Sequence, residues 1–158
     1  MPGGGDAHST DLGDSVNAKR AVVAGVIGTI AMTLLFLVEP LIGLPKMAEG
    51  GILSTVMSAT VAHLPVGFVG GWLVHFAVGI ALALLYAGLV APRGRGVPAA
   101  RGALYGVLVF LAAQLVIMPL VGSGIFSSGD SGRLLGSLAG HLVYGSSVGW
   151  YYGRGVSI

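Results

Sequence analysis

Apolar residues fall along this chain in four blocks, each long enough to cross a bilayer, whose hydrocarbon core takes about 20 helical residues to span. They run roughly from Ala21 to Ile42, Val66 to Val90, Ala103 to Val121 and Leu134 to Tyr152. The pattern predicts an all-α protein, a bundle of four transmembrane helices. Between the second and third blocks, APRGRGVPAAR (Ala91 to Arg101) carries two prolines and two glycines and reads as a tight turn. The connection from Leu44 to Pro65 is longer, and Ile52, Leu53, Val56, Met57 and Val61 recur in it at helical spacing. That spacing predicts a short amphipathic helix, lying on the outer membrane surface or folded back as a cover over the bundle. The first 18 residues, MPGGGDAHSTDLGDSVNA, are Gly-rich and acidic and predict a disordered tail that caps the first helix at Asp14 or Ser15. Residues 19–158 then form a single membrane domain. The first apolar block is too long for a signal peptide and follows an acidic segment.

Composition agrees with a lipid solvent. Of 158 residues, 54% are hydrophobic and only 9% charged, against about 25% charged in ordinary soluble domains. The absence of cysteine excludes disulfides, thiolate metal sites, iron–sulfur clusters and covalently attached haem. The formal charge of +2 rests on eight Lys and Arg, which serve as topology signals and give no reason to expect nucleic acid. Lys19, Arg20, Arg93, Arg95, Arg101 and Arg154 fall on one side of the predicted spans and Lys46 and Arg133 on the other. This asymmetry predicts a multi-pass protein of the cytoplasmic (inner) membrane with both termini cytoplasmic.

The blocks also match one another in pairs. Arg20, Gly25 and PLIG at Pro40 to Gly43 in the first helix correspond to Arg101, Gly106 and PLVG at Pro119 to Gly122 in the third. His75, Gly79 and Tyr86 in the second correspond to His141, Gly145 and Tyr152 in the fourth. We read a tandem two-helix hairpin, repeat one at about 19–90 and repeat two at about 101–154. An even number of spans per unit keeps both copies in one orientation, related by a pseudo-twofold axis along the membrane normal. His75 and His141 are then expected at equal depth, about two helical turns below the outer surface.

Each histidine interrupts a stripe of small residues. Steps of four along the second helix give Gly67, Gly71, His75, Gly79, Ala83 and Ala87; along the fourth they give Ser137, His141, Gly145, Gly149 and Gly153. Such stripes admit another backbone, or a flat ligand, within contact distance. Three readings follow. In the first, the glycines pack helices together and each neutral imidazole bonds a facing helix through Glu39, Gln114 or a backbone carbonyl. In the second, His75 and His141 are the axial ligands of one b-type haem, with Gly71, Gly79, Ser137 and Gly145 leaving room for the macrocycle. In the third, the site binds a proton or a metal ion: His75 and His141 are metal ligands, and Glu39 and Gln114 are proton or ion groups. Glu39 stands before Pro40, where its repeat partner is Met118, and a carboxylate at that depth requires a partner. The expected partner is His75 or His141, the alternative being a side chain that snorkels to the interface. Gln114 is expected to bond a neighbouring helix.

The remaining residues invite less. His63 and His8 lie outside the spans, and Trp72, Trp150, Tyr151 and Tyr152 read as an interfacial aromatic belt. Catalytic triads, paired carboxylates and nucleotide loops are absent from the sequence, so it predicts no enzyme. Gly132, Gly136 and Gly140 form a further small-residue stripe, expected to be exposed for association with a larger membrane complex or a second copy.

GGWLVHFAVG in the second helix, GHLVYGSSVGWYYG in the fourth, the preceding IMPLVG and four spans in this length together resemble a family of small prokaryotic integral membrane proteins of unknown function, over nearly the whole chain from Ala18 onward. The resemblance implies the fold and the membrane location and carries no catalytic assignment. From the residues themselves the expectation is a non-catalytic accessory or cofactor-holding subunit. The rival expectations are a small proton- or ion-coupled permease and a purely structural membrane protein.

Overall fold

The computed structural model describes residues 16–44, 67–120 and 122–154. Among them every regular element is helical. Helix α1, Ala18–Val38, runs on into a 3-10 turn at Glu39–Ile42. Helix α2, Gly67–Leu85, widens into a π turn at Tyr86–Val90 and closes with a 3-10 turn at Ala91–Arg93. Helix α3, Pro98–Ala112, passes through a π turn at Ala113–Ile117 and continues over Met118–Leu120. A 3-10 segment at Ile125–Gly129 leads into helix α4, Ser131–Gly153. Three helical stretches, Ala18–Ile42, Gly70–Arg93 and Pro98–Leu120, are long and apolar enough to cross a membrane. The surface helix predicted between Leu44 and Pro65 and the tail through residue 15 lie outside the described residues.

Helices α1, α3 and α4 begin three to five residues before the apolar blocks do, α1 and α4 because polar residues cap them. The side chain of Asn17 accepts a hydrogen bond from the Arg20 amide at 2.9 Å, so the cap is Asn17 and not Asp14 or Ser15. Asp130 caps α4 in the same way, through the Arg133 amide at 3.0 Å. Pro98, read as a breaker, is the first residue of α3, where its missing N–H removes no hydrogen bond.

The two Pro-Leu-x-Gly segments end their helices identically. The Leu44 amide donates to the Glu39 carbonyl and the Gly43 amide to the Pro40 carbonyl; Ser123 bonds Met118 and Gly122 bonds Pro119 in the same pattern. This is the Schellman arrangement, which requires a left-handed residue at its turn; φ is +82° at Gly43 and +77° at Gly122.

Small residues set the packing. Helix α1 lies between α2 and α4, and α4 lies between α1 and α3. A Cβ on Gly25 would press on the backbone of Gly79 and Ile80 in α2. At the matching place in the second hairpin, a Cβ on Gly106 would run into the His141 carbonyl, and one on Gly145 into Gly102 and Gly106. In lipid no hydrophobic effect drives helices together, so close backbone approach of this kind supplies much of the attraction. Leu34, Leu73, Leu104 and Leu135 point away from these seams and are more than half exposed, as lipid-facing residues are.

Arginine ties the hairpins to one another at one end of the bundle. Arg20 in α1 donates from Nε to the Tyr152 carbonyl at 2.9 Å and from Nη2 to the Tyr151 carbonyl at 2.5 Å, at the end of α4. Arg101 in α3 donates from Nη1 to the carbonyls of Ala91 (3.0 Å) and Gly94 (2.6 Å), just past α2. Each cation thus satisfies orphan carbonyls at the C-terminal end of the other hairpin's second helix.

Gly145→Ala is expected to destabilise the bundle by about 2 kcal/mol, because the new methyl meets backbone that moves only if α3 and α4 separate. Leu104→Ala on the lipid face should change stability by less than about 0.5 kcal/mol. Equilibrium unfolding in mixed micelles measures both.

Candidate functional site

Polar side chains gather inside the half of the bundle away from Arg20 and Arg101. His75 and His141 stand there on α2 and α4, each partly buried. In His141, Nδ1 lies 2.7 Å from the Ser137 carbonyl, which only accepts, so Nδ1 carries the proton and Nε2 keeps its lone pair. The Phe110 ring meets the His141 imidazole edge-on at 5.9 Å. In His75, Nε2 lies 3.4 Å from the Thr33 hydroxyl of α1, and Trp72 packs against the imidazole edge-on at 5.8 Å.

Gln114 bonds a neighbouring helix as expected, and it does so as a link in a chain. Its Nε2 donates to the Ser137 hydroxyl at 3.2 Å, and its Oε1 accepts from the Ser127 hydroxyl at 3.1 Å. Gln114 sits in the π turn of α3 and is buried, as are Ser127 and Ser137. Ser127 reaches it because Phe126, Ser127 and Ser128 all take left-handed backbone angles, φ +49° to +53°, an uncommon conformation for residues with a Cβ. The Ser137 hydroxyl stands 3.5 Å from His141 Nδ1, whose proton goes to the Ser137 carbonyl, so the bonded chain ends beside the imidazole.

Two expectations about the glycines are corrected. Gly79 and Gly145 do not leave room for a macrocycle: Thr29 of α1 fills the space beside Gly79, and the α3 backbone at Gly102 and Gly106 fills that beside Gly145. Gly71 is buried one turn from His75. The stripe expected to be exposed for association is partly covered as well, since Gly140 lies under Phe36 and Met32, and Gly136 under the Glu39 carboxyl group. No three His, Asp or Glu side chains among the described residues come together as a metal-holding group.

Glu39 contradicts both readings of it. Its side chain does not snorkel, being 0% exposed, and it does not touch a histidine: neither carboxyl oxygen has a hydrogen-bond partner.

Beyond the histidines the interior closes. The Tyr144 hydroxyl donates to the Gly79 carbonyl at 2.6 Å and the Tyr105 hydroxyl to the Leu82 carbonyl at 2.8 Å, bridging α4 and α3 to α2. Past them Ala21, Ala83, Tyr86 and Val148 pack with at most 1% exposure. The sequence reading missed Thr33, Ser127 and the two bridging tyrosines. Thr33 had a signal, standing thirteen residues after Arg20 as Gln114 stands after Arg101.

Fold and site together define an all-helical protein with helices able to cross a membrane and a polar cluster within them. Residues 15–157 match the model of a family of unknown function, DUF6789, and the chain belongs to that family. No curated protein and no solved structure matches it.

Replacing Gln114 by Leu removes the middle of the Ser127–Gln114–Ser137 chain. A loss of about 1 kcal/mol is expected, in the range measured for interhelical bonds in membrane proteins, and unfolding in mixed micelles would read it.

Proposed function

We propose that the chain is a four-span protein of the cytoplasmic membrane with both termini cytoplasmic, built from a tandem hairpin, and that it acts as an accessory subunit holding a ligand between His75 and His141. Helix α4 counts as the fourth span although it is less apolar than the others. Its 23 residues reach about 35 Å at helical rise, and the Gly, Ser and His that lower its hydropathy face α1 and α3. The matched Schellman ends, crossed arginine caps and paired glycine contacts support the repeat.

One observation carries the ligand-holding reading: the His141 imidazole is held through Nδ1 by the Ser137 carbonyl, with Nε2 unused among the described residues. Ligating histidines are commonly oriented by such a bond through their other nitrogen. Haem b is the ligand that two imidazoles and no cysteine suit best. Seating it requires Thr33 to release His75 and the ring to lie on the side of the histidines away from Gly79 and Gly145. A permease fits less well, because the tyrosine bridges and the packed core close the cytoplasmic half.

Absorption spectra of protein purified from cells with ample haem test the proposal. A Soret band with sharp reduced α and β bands is expected in the wild type and should vanish when His75→Ala and His141→Ala are combined. A folded, colourless wild type would overturn the haem assignment.

A further inference from the structure

The Glu39 carboxyl group has no role in holding a ligand at the histidines, yet it is the most demanding group in the bundle. It is fully buried at the end of α1, both oxygens lack a partner among the described residues, and Gly136 of α4 offers no side chain, only the space into which the carboxyl group fits. A buried carboxylate without a counter-charge is strongly disfavoured, and such groups escape the penalty by taking up a proton.

The surroundings decide between a proton and a larger cation. Oxygen-seeking metal ions take about six to eight ligands, whereas the described residues hold no group of three His, Asp or Glu around any point. The next turn of the seam presents Phe36 and Met32 against Gly140. The titratable groups on the packed elements are already engaged or lie elsewhere. On α4, Arg133 pairs with Asp130 at 3.3 Å, both largely exposed, and His141 bonds Ser137. On α2, His75 faces Thr33. On α3, Gln114 is the polar group at this end and is spent on two serines.

We infer that Glu39 is a proton-binding site: the neutral acid is what packs against Gly136, and release of its proton to water accompanies separation of the 3-10 end of α1 from α4. The ligand is the proton itself, exchanged at one carboxyl oxygen. Because Glu39 lies in the seam between α1 and α4, protonation keeps these two helices in contact there. As pH rises and the acid ionises, an unpaired charge appears in the seam and favours separation of the two helices. The inference rests on the membrane reading and not on haem, so a colourless protein leaves it standing.

Infrared spectroscopy of the protein in liposomes tests it. Glu39 and Glu49 are the two glutamates in the chain, so uniform ¹³C-glutamate labelling shifts the bands of these two alone. The expected result is a protonated-carboxyl C=O band that persists at neutral pH, moves on labelling, survives in Glu49→Gln and is lost in Glu39→Gln. If the labelled band disappears in the acidic range where exposed carboxyl groups titrate, the inference is overturned. Disappearance on adding Na⁺ or K⁺ at constant pH would overturn it in favour of a cation site. Should Glu39→Gln fail to fold, the labelled wild type and Glu49→Gln still decide the outcome.

Discussion

The architecture depends on how closely α4 is approached from both sides. On one side, Gly102 and Gly106 of α3 bring backbone against Gly145, Gly149 and the His141 carbonyl; on the other, α1 lays Gly28 on Tyr144 and Val148 and sets Phe36 and Glu39 over Gly140 and Gly136. In a bilayer, lipid tails compete on equal terms for every leucine, so helices associate where backbones meet and where polar groups find partners. That explains why the interior seams are glycine, serine and tyrosine while the large aliphatic residues face outward. It also fixes the ends: with α4 pinned along its length, the carbonyls at Tyr151 and Tyr152 lie within reach of Arg20.

The two helix pairs share a frame and differ in their polar groups. The hairpins agree in their arginines, their first glycines, their Schellman ends and their histidines. They differ at the polar level. One histidine meets a single threonine, Thr33, whereas the other is backed by Ser137, Gln114 and Ser127. Glu39 has methionine, Met118, as its counterpart. The two imidazoles therefore have different polar surroundings.

Much of the frame was legible in the residues. Three apolar spans, the paired PLIG and PLVG ends and the small-residue stripes are patterns of spacing, and spacing is what helices transmit to sequence. Less legible was which surface each stripe meets. Gly79 and Gly145 looked equally suited to a ligand or to a backbone, and contacts from Thr29 and Gly102, far away in the chain, decide the matter. Ser127 could not have been found, since its reach to Gln114 depends on three consecutive left-handed residues that no local pattern announces. Glu39 was recognisable as a group in need of a partner; that it would be buried without one depends on the small space Gly136 leaves for it.

The burial of Glu39 rests on the contact between α1 and α4. Because the chain has no cysteine of its own, Phe36→Cys combined with Gly140→Cys gives a clean test by oxidative cross-linking in membranes. The account predicts rapid formation of a disulfide within one chain, and none for a Leu34→Cys, Leu135→Cys pair on the lipid-facing surface. Failure of the first pair to cross-link, or cross-linking of the second at an equal rate, would contradict it.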